Sequence, residues 1–332
     1  MIPYAIVGTS WISEEFYAAS LCSDLVLCGV CSRNQETGRA FTCKLGQPDV
    51  PVYTSIESLA AAPDIEAVYV ASPNSLHAPQ CESLLLAGKH VLCEKPIAAH
   101  PGDLCRLQAL ARANHLIYME AIMYLHTPAR KAVKELLPAL GEITSAHFDF
   151  SQLSSKFDEL SAGVTLPNVF NPAMAAGAFN DLGIYCVYPA LDFFGVPLAV
   201  QAQSHLLPAG ADAAGAALLR YPGFTLTLTW SKLGQSRGVS QVMGTKGTIA
   251  IRSISQFQGV TFHPRHGEPR ELAPPLQKHE VMQSEARAFC DYIVVGDRIA
   301  GHPAPVPYEE ACDLSLSVAR WMEEIRQAAA QD

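Results

Sequence analysis

The chain has 332 residues, 49% of them hydrophobic and 17% charged, with a formal net charge of -9 at pH 7. That length exceeds one ordinary compact core, so two domains are expected. The acidic balance, without any basic stripe, excludes broad nucleic-acid binding, which needs clustered Lys and Arg along phosphates. The N-terminus enters a strand pattern with no charged and apolar leader before a cleavage site, and no run of about 18 apolar residues occurs. No membrane partner and a cytoplasmic, soluble protein are the expectation.

Ten cysteines are scattered along the chain and read as reduced, because a core of this size needs no staples. Cys28-Gly29-Val30-Cys31 spells C-x-x-C, but within a strand residues three apart face opposite sides, so a buried strand is preferred over a redox pair. His263 and His266 flank a Pro-Arg turn without further ligands at metal spacing, and no metal is expected.

In chain order, residues 1–120 alternate short apolar runs with amphipathic segments, the pattern of a parallel sheet wound with helices. The predicted strands are Tyr4–Val7, Leu25–Cys31, Pro51–Tyr53, Ala67–Ala71, His90–Cys93 and Leu116–Met119. The predicted helices are Trp11–Ala19, Gln35–Leu45, Ser55–Ala61, His77–Ala87, with Gly88 as a C-terminal cap, and Pro101–Asn114.

Residues 121–332 change rhythm. A helix over Thr127–Leu137 leads into strands at Ile143–Phe150, Leu198–His205, Ala214–Tyr221, Phe224–Ser231, Ser240–Val242, Thr248–Ile251 and Gly259–His263. Short turns such as Tyr221-Pro222-Gly223-Phe224 and Gly244-Thr245-Lys246-Gly247 imply a mostly antiparallel sheet. Helices over His279–Val295 and Tyr308–Ala330 close the chain, making an α+β domain with a large sheet. Alternation in Leu226-Thr227-Leu228-Thr229-Trp230 leaves one sheet face Thr-rich, which points to a homodimer or homotetramer through that face.

The first turn, Gly8-Thr9-Ser10-Trp11-Ile12-Ser13, has the place of a dinucleotide-binding G-x-G-x-x-G loop, with Ser10 and Ser13 where the second and third glycines would stand. Nothing bulky blocks it, and the N-H groups of residues 10–12 can face an anion at a helix start. An ordinary strand-turn-helix is the alternative, and core or interdomain packing is preferred for Trp11 over ligand stacking. An NAD enzyme carries a carboxylate for the ribose 2'-hydroxyl after the second strand; here Ser32 and Arg33 follow Cys31. A guanidinium and a hydroxyl suit a 2'-phosphate, so NADP is favoured with NAD possible, unless the pair merely begins a solvated loop.

Ala71-Ser72-Pro73-Asn74-Ser75-Leu76-His77, followed by Gly88-Lys89-His90-Val91-Leu92-Cys93-Glu94-Lys95-Pro96, resembles the Gfo/Idh/MocA oxidoreductases. The resemblance continues through Met119-Glu120-Ala121, through residues 177–185 and through Met243–Thr248, and so covers essentially the whole chain. It implies a Rossmann domain followed by a sheet-based domain, with a small-molecule substrate bound between them. The motif lysine falls on Lys95, and the downstream positions fall on Asp181 and Tyr185. Asp-x-Gly-x-Tyr is similar to the dihydrodiol and D-xylose dehydrogenase branch, which commonly uses NADP.

Hydride transfer to or from an alcohol carbon needs a group that exchanges the hydroxyl proton and a cation near the developing alkoxide. A phenol with an ordinary pKa of about 10 is a weak base near neutrality, and a neighbouring ammonium lowers it. Tyr185 is therefore assigned the proton, Lys95 the substrate oxygen, and Asp181 an orienting role or a substrate contact. Asp181 and Tyr185 are spaced to share a helix face. The alternatives are that Lys95 forms only a cap or salt bridge, Asp181 an N-cap and Tyr185 part of the core.

The resemblance puts Ser72, Pro73 and Asn74 near the nicotinamide ribose and Glu94 and Glu120 at the nicotinamide end; His77 joins this cofactor-side group, chiefly as a helix-start residue. Asn168, Phe170 and Asn171 line the substrate site or a surface loop. Related sequences often carry Gly-Gly where this one has Ala176-Gly177, and an Arg where Tyr124-Leu125-His126 has none; both departures bear on the substrate pocket. The favoured function is an NADP-linked dehydrogenase or reductase for a sugar, cyclic diol or similar polyhydroxylated compound. A non-catalytic NADP-binding regulator is disfavoured by the intact Lys95, Asp181 and Tyr185. An NAD-dependent glycosidase is disfavoured by the absent carboxylate after the second strand.

Overall fold

The computed structural model describes residues 1–163, 166–295 and 304–330, and the chain divides into two compact units, residues 1–126 with 277–313 and residues 127–276 with 314–332. Elements of the first stretch are β1 (Ile2–Val7), α1 (Trp11–Ser20), β2 (Leu25–Cys31), α2 (Gln35–Lys44), β3 (Val52–Tyr53), α3 (Ile56–Ala60), β4 (Ala67–Val70), α4 (His77–Leu86), β5 (His90–Glu94), α5 (Pro101–Ala113) and β6 (Tyr118–Ala121). They are followed by α6 (Pro128–Leu136), β7 (Ile143–Ser151), α7 (Phe157–Ala162), α8 (Ile184–Phe194), β8 (Ala199–Leu206), β9 (Asp212–Tyr221) and β10 (Phe224–Ser231). The chain then forms β11 (Ser240–Gly244), β12 (Gly247–Ser253), β13 (Gln258–Pro264), β14 (Arg270–Ala273), α9 (Lys278–Val295) and α10 (Tyr308–Ala329).

The first unit is built on a six-stranded parallel sheet in the order β3-β2-β1-β4-β5-β6. Strands covered on both faces must be apolar throughout, and every residue of β4 is buried, as are Tyr4 to Val7 of β1. The order reverses between β1 and β4, and a doubly wound sheet receives its ligand in the crevice beyond the strand ends at such a point. The sequence suggests one boundary near residue 120, yet residues 277–313 belong to this first unit. The reason is α9, which packs on α1 and buries Val281, Met282, Ala286 and Phe289. Phe16 of α1 stacks on Tyr69 of β4 with ring centres 3.8 Å apart, fixing α1 over the sheet.

The second unit holds an eight-stranded sheet in the order β14-β13-β12-β11-β7-β10-β9-β8, antiparallel except for β7 beside β10. Those two strands are separated in sequence by the helical excursion through α8, as a parallel crossover requires. The sequence pattern misses α8 because the helix is buried from Ile184 to Leu191 with no polar face, and because Pro189 lies inside it. Asp192 anchors this helix to α6 by accepting from the Arg130 guanidinium at 2.6 and 2.7 Å and from Lys134 at 2.9 Å. Tyr221 of the sheet donates to the Gly195 carbonyl at the helix end (3.1 Å). Leu226, Leu228 and Trp230 are buried, while Thr225, Thr227 and Thr229 occupy the alternate positions, as the period of two predicts.

Among the described residues no helix is long and apolar enough to cross a membrane, and all ten cysteines are free thiols. Burial pushes the Cys31 thiol up to about 11, so the C-x-x-C stretch lacks the depressed thiol pKa that redox cysteines rely on.

Candidate active site

The dinucleotide turn is set by Gly8. Its φ is +100°, and a Cβ there would stand 2.6 Å from the Ala71 carbonyl oxygen, so both backbone conformation and the close approach of the two loops require glycine. Ser10 is the N-cap residue of α1, yet its side chain makes no capping bond, leaving the first-turn N-H groups of Trp11 and Ile12 for an incoming anion. Thr9, half-buried, sits between Gly8 and this cap. Ser13, in the third-glycine position, is completely buried and its hydroxyl has no partner; a small side chain there lets α1 lie close to the sheet. These features fit a dinucleotide phosphate.

At the end of β2, Ser32 continues the sheet by donating its N-H to the Tyr53 carbonyl (2.9 Å), and Arg33 is exposed and forms no ion pair among the described residues. Asn34 next to it caps α2 through Thr37 N-H (3.0 Å). The neighbouring Arg39 is engaged with the carbonyls of Pro48 and Val50, so Arg33 is the guanidinium available at this strand end.

Lys95 follows β5, and its turn, which contains the cis Lys95–Pro96 peptide, is gripped from several sides. The Tyr69 hydroxyl donates to Glu94 (2.6 Å), Ile97 N-H donates to Glu120 (2.9 Å), and the Tyr118 hydroxyl donates to the Ile97 carbonyl (3.2 Å). His77 is fully buried, with its two ring nitrogens 2.8 Å from the carbonyl oxygens of Pro96 and Ser72. Burial lowers the imidazole pKa, against the pull of those two carbonyls. His77 is thus a clasp joining the Ser72–Pro73–Asn74 loop to the Lys95 turn, with its ring directed inward. Ser72 is further fixed by donating to Gln80 (2.7 Å).

Two groups that the sequence did not single out come to the same unit through α9. Lys278 places its ammonium 4.4 Å from the ring centre of Trp11, which is otherwise 61% exposed. Burial lowers the Lys278 pKa, while Glu94, Glu15 and Glu285 oppose the shift. Glu285 is completely buried with neither carboxyl oxygen hydrogen-bonded. Burial, followed by the Glu94 charge, pushes its pKa well up.

In the second unit, Phe179–Gly183 forms a π turn leading directly into α8, so Asp181 stands in the π turn and Tyr185 in the first turn of the α-helix. On a regular helix the four-residue spacing would put both side chains on one face; the wider turn changes their relative placement, and such turns recur at functional sites. A Cβ on Gly183 would collide with the Phe179 ring, and one on Gly177, at φ +149°, with Asp212. Asp212 accepts from Phe179 N-H (2.6 Å) and from the Trp230 indole N-H (3.1 Å). Arg326 of α10 donates to the Asn180 side chain of the same turn (2.9 Å). Tyr185 is buried, edge-on to Phe150 with centres 5.5 Å apart.

Asp181 is ion-paired with Lys232, which also donates to the Val169 carbonyl (2.7 Å). Asn168 is exposed at the start of a short 3-10 turn, whereas Phe170 is fully buried with the Lys232 ammonium 5.3 Å from its ring centre. Phe170 therefore lies internally beneath Lys232, while Asn171 caps the next turn through Ala173 N-H (3.0 Å). The first unit brings together the residue 8–13 turn, the residue 72–74 loop and the Lys95 turn; the second brings together Asp181, Tyr185 and the residue 168–170 turn. Sequence reading missed Lys232, Asp212, Lys278 and Glu285.

Residues 2–122 match the family model described as "Oxidoreductase family, NAD-binding Rossmann fold", and residues 130–250 match the "GFO/IDH/MocA C-terminal domain". The chain is 34% identical to the oxidoreductase YgjR of Escherichia coli over 91% of each sequence. It is 33% identical to scyllo-inositol 2-dehydrogenase (NADP(+)) IolU of Bacillus subtilis, over 98% of this chain and 96% of the relative. It is 31% identical to trans-1,2-dihydrobenzene-1,2-diol dehydrogenase of Mus musculus over 82% and 80%. Among solved structures it resembles KijD10, a 3-ketoreductase from Actinomadura kijaniata in complex with NADP and TDP-benzene. That match has a TM-score of 0.83 at 25% identity, covering 98% of this chain and 97% of the other.

Proposed function

Because the chain belongs to the Gfo/Idh/MocA family of NAD(P)-dependent oxidoreductases, we propose that it is an NADP-linked dehydrogenase or reductase of a cyclic polyol, sugar or dihydrodiol. The observation that carries this reading is the first unit's crevice, where the Gly8 cradle and the uncapped start of α1 lie at the sheet's switch point and the gripped Lys95 turn follows β5, beside β4, with Arg33 at the end of β2 in no ion pair among the described residues. The names of the relatives support the substrate class: an inositol dehydrogenase and a dihydrodiol dehydrogenase, beside a structure of a 3-ketoreductase.

Gly8, Thr9, Ser10, Trp11 and Ile12 hold the pyrophosphate, Ser32 and Arg33 the 2'-phosphate, and Ser72, Pro73 and Asn74 the ribose on the nicotinamide side. Glu94, Glu120 and His77 act by fixing the backbone around Lys95. When bound, the nicotinamide supplies or accepts the hydride. Tyr185 exchanges the proton of the substrate hydroxyl, and the Lys95 ammonium stabilises the negative charge that develops on that oxygen. Asp181 acts as a carboxylate already paired with a cation, and Asn168 contacts substrate at the edge of the residue 168–170 turn, over the buried Phe170. The Thr225, Thr227 and Thr229 face, with Ala216 and Leu218 exposed beside it, serves a homodimer or homotetramer.

Replacing Tyr185 by Phe tests the mechanism. Turnover of the best substrate in a panel of cyclic polyols and aldoses should fall by roughly 100- to 10,000-fold, the scale of losing a general acid-base, while NADPH binding persists. Unchanged turnover removes Tyr185 from the role.

A further inference from the structure

Lys232 follows β10 immediately and is 5% exposed. Withdrawing an ammonium from water is unfavourable by several kcal/mol unless charge and hydrogen bonds replace the lost hydration. Here the compensation comes from two separate segments. The Asp181 carboxylate of the π turn supplies the opposite charge, and the Val169 carbonyl of the residue 168–170 turn supplies a neutral acceptor at 2.7 Å. The face of Phe170 adds a third contact, 5.3 Å from ammonium to ring centre. A lysine used only to balance charge needs none of the last two. This one joins the turn carrying Asn168 and Phe170 to the turn carrying Asp181, and it does so from β10, whose pairing with β7 and β9 on both edges from Thr225 to Ser231 makes it a rigid support.

The strand itself is held in register beneath the site. Trp230, two residues before Lys232, is fully buried, and its indole donates to Asp212, which also accepts from Phe179 N-H at the start of the π turn. Lys232 N-H donates to the Ala213 carbonyl of β9 (2.8 Å), so the backbone from which the side chain departs is fixed as well. An acidic residue held by a buried, backbone-anchored cation is oriented before substrate arrives, and preorganisation of this kind is what positions reacting groups.

We propose that Lys232 is a positioning residue of the reaction: it fixes Asp181 as an oriented, charge-paired acceptor for a substrate hydroxyl and locks the residue 168–170 turn to it. The idea rests on the catalytic reading of Asp181 given above, and two measurements separate the fate of the two. In the first, hydrogen-deuterium exchange of the whole protein needs no substrate. Lys232→Met should speed exchange in residues 166–171 and 179–183 together, while Lys232→Arg, which keeps the charge, leaves both near wild type. Wild-type exchange at residues 179–183 in Lys232→Met overturns the proposal.

In the second, Lys232→Met, Asp181→Asn and the double variant are assayed on the best polyol or aldose, with NADPH affinity as the control for an intact first unit. Lys232→Met should lower kcat roughly 10- to 100-fold, the effect of displacing a reacting group by about 1 Å, with a smaller change in KM. Lys232→Arg should recover most of that loss. In the Asp181→Asn background the loss should shrink to within about threefold, because the residue it positions is already gone. An equal loss in both backgrounds overturns the proposal. If wild type turns over no polyol or aldose, the catalytic reading of Asp181 falls, and the exchange result alone decides whether Lys232 holds the two turns together.

Discussion

Asp212 offers a stringent test of how the π turn is maintained. One of its carboxyl oxygens accepts both Phe179 N-H at 2.6 Å and the Trp230 indole N-H at 3.1 Å. Leu at this position has similar bulk but leaves two buried donors unpaired, each costing about 1–3 kcal/mol, so Asp212→Leu should destabilise the second unit by about 2–6 kcal/mol. Asn retains an acceptor oxygen in the same place. Burial raises the Asp212 pKa, so the folded carboxylate binds its proton more tightly than the unfolded one. Stability is therefore lost as pH rises from the unfolded value through the folded one, and at pH 7 Asp212→Asn should match or exceed wild type. Urea unfolding followed by far-UV circular dichroism, fitted to two transitions because two units are present, measures both variants. The expected order is Asn at or above wild type and Leu far below. A Leu variant within about 1 kcal/mol of wild type would show that neither donor depends on Asp212.

Glu285 carries a related prediction with its own pH signature. Its pKa is raised well above the usual carboxylate range by burial, so wild-type stability should decline above the unfolded value of about 4.3, by about 1.4 kcal/mol per pH unit until the folded value is reached. Glu285→Gln removes that decline, and thermal unfolding should show the variant gaining on wild type between pH 5 and pH 8; parallel curves would refute it. Arg33→Ala should weaken NADPH by roughly 10- to 100-fold, as expected for losing charge-assisted bonds to a phosphate, and leave NADH within about twofold; equal losses by fluorescence titration would defeat the 2'-phosphate assignment.

The first unit is legible in the sequence because its strands are continuous apolar runs and its ligand-side residues follow strand ends. The Glu94-Lys95-Pro96 motif and the Gly8 turn are local signals of that kind. The second unit hides more. A helix apolar on every side and containing Pro189 has no periodicity to detect, and β14 is a short strand beginning with two charged residues, so both α8 and β14 escape the pattern. The return of α9 to the first unit depends on which partner its apolar face meets, which no local pattern encodes. Lys232 and Asp212 were missed for a further reason. Each is an isolated polar residue at a strand end, where solvent exposure is the usual expectation, and only the folded chain shows them sharing the π turn. The family resemblance picks out Asp181 and Tyr185, but their four-residue spacing cannot reveal that a π turn holds the first of them.

The measurement closest to the central claim is a fluorescence titration of the purified protein with NADPH and with NADH. Saturable NADPH binding, tighter than NADH by roughly tenfold or more as expected from an added phosphate–guanidinium contact, is the predicted result. Absence of binding by either nucleotide would contradict the assignment of the Gly8 turn, the start of α1 and Arg33 to a dinucleotide, and with it the oxidoreductase mechanism built on Lys95 and Tyr185.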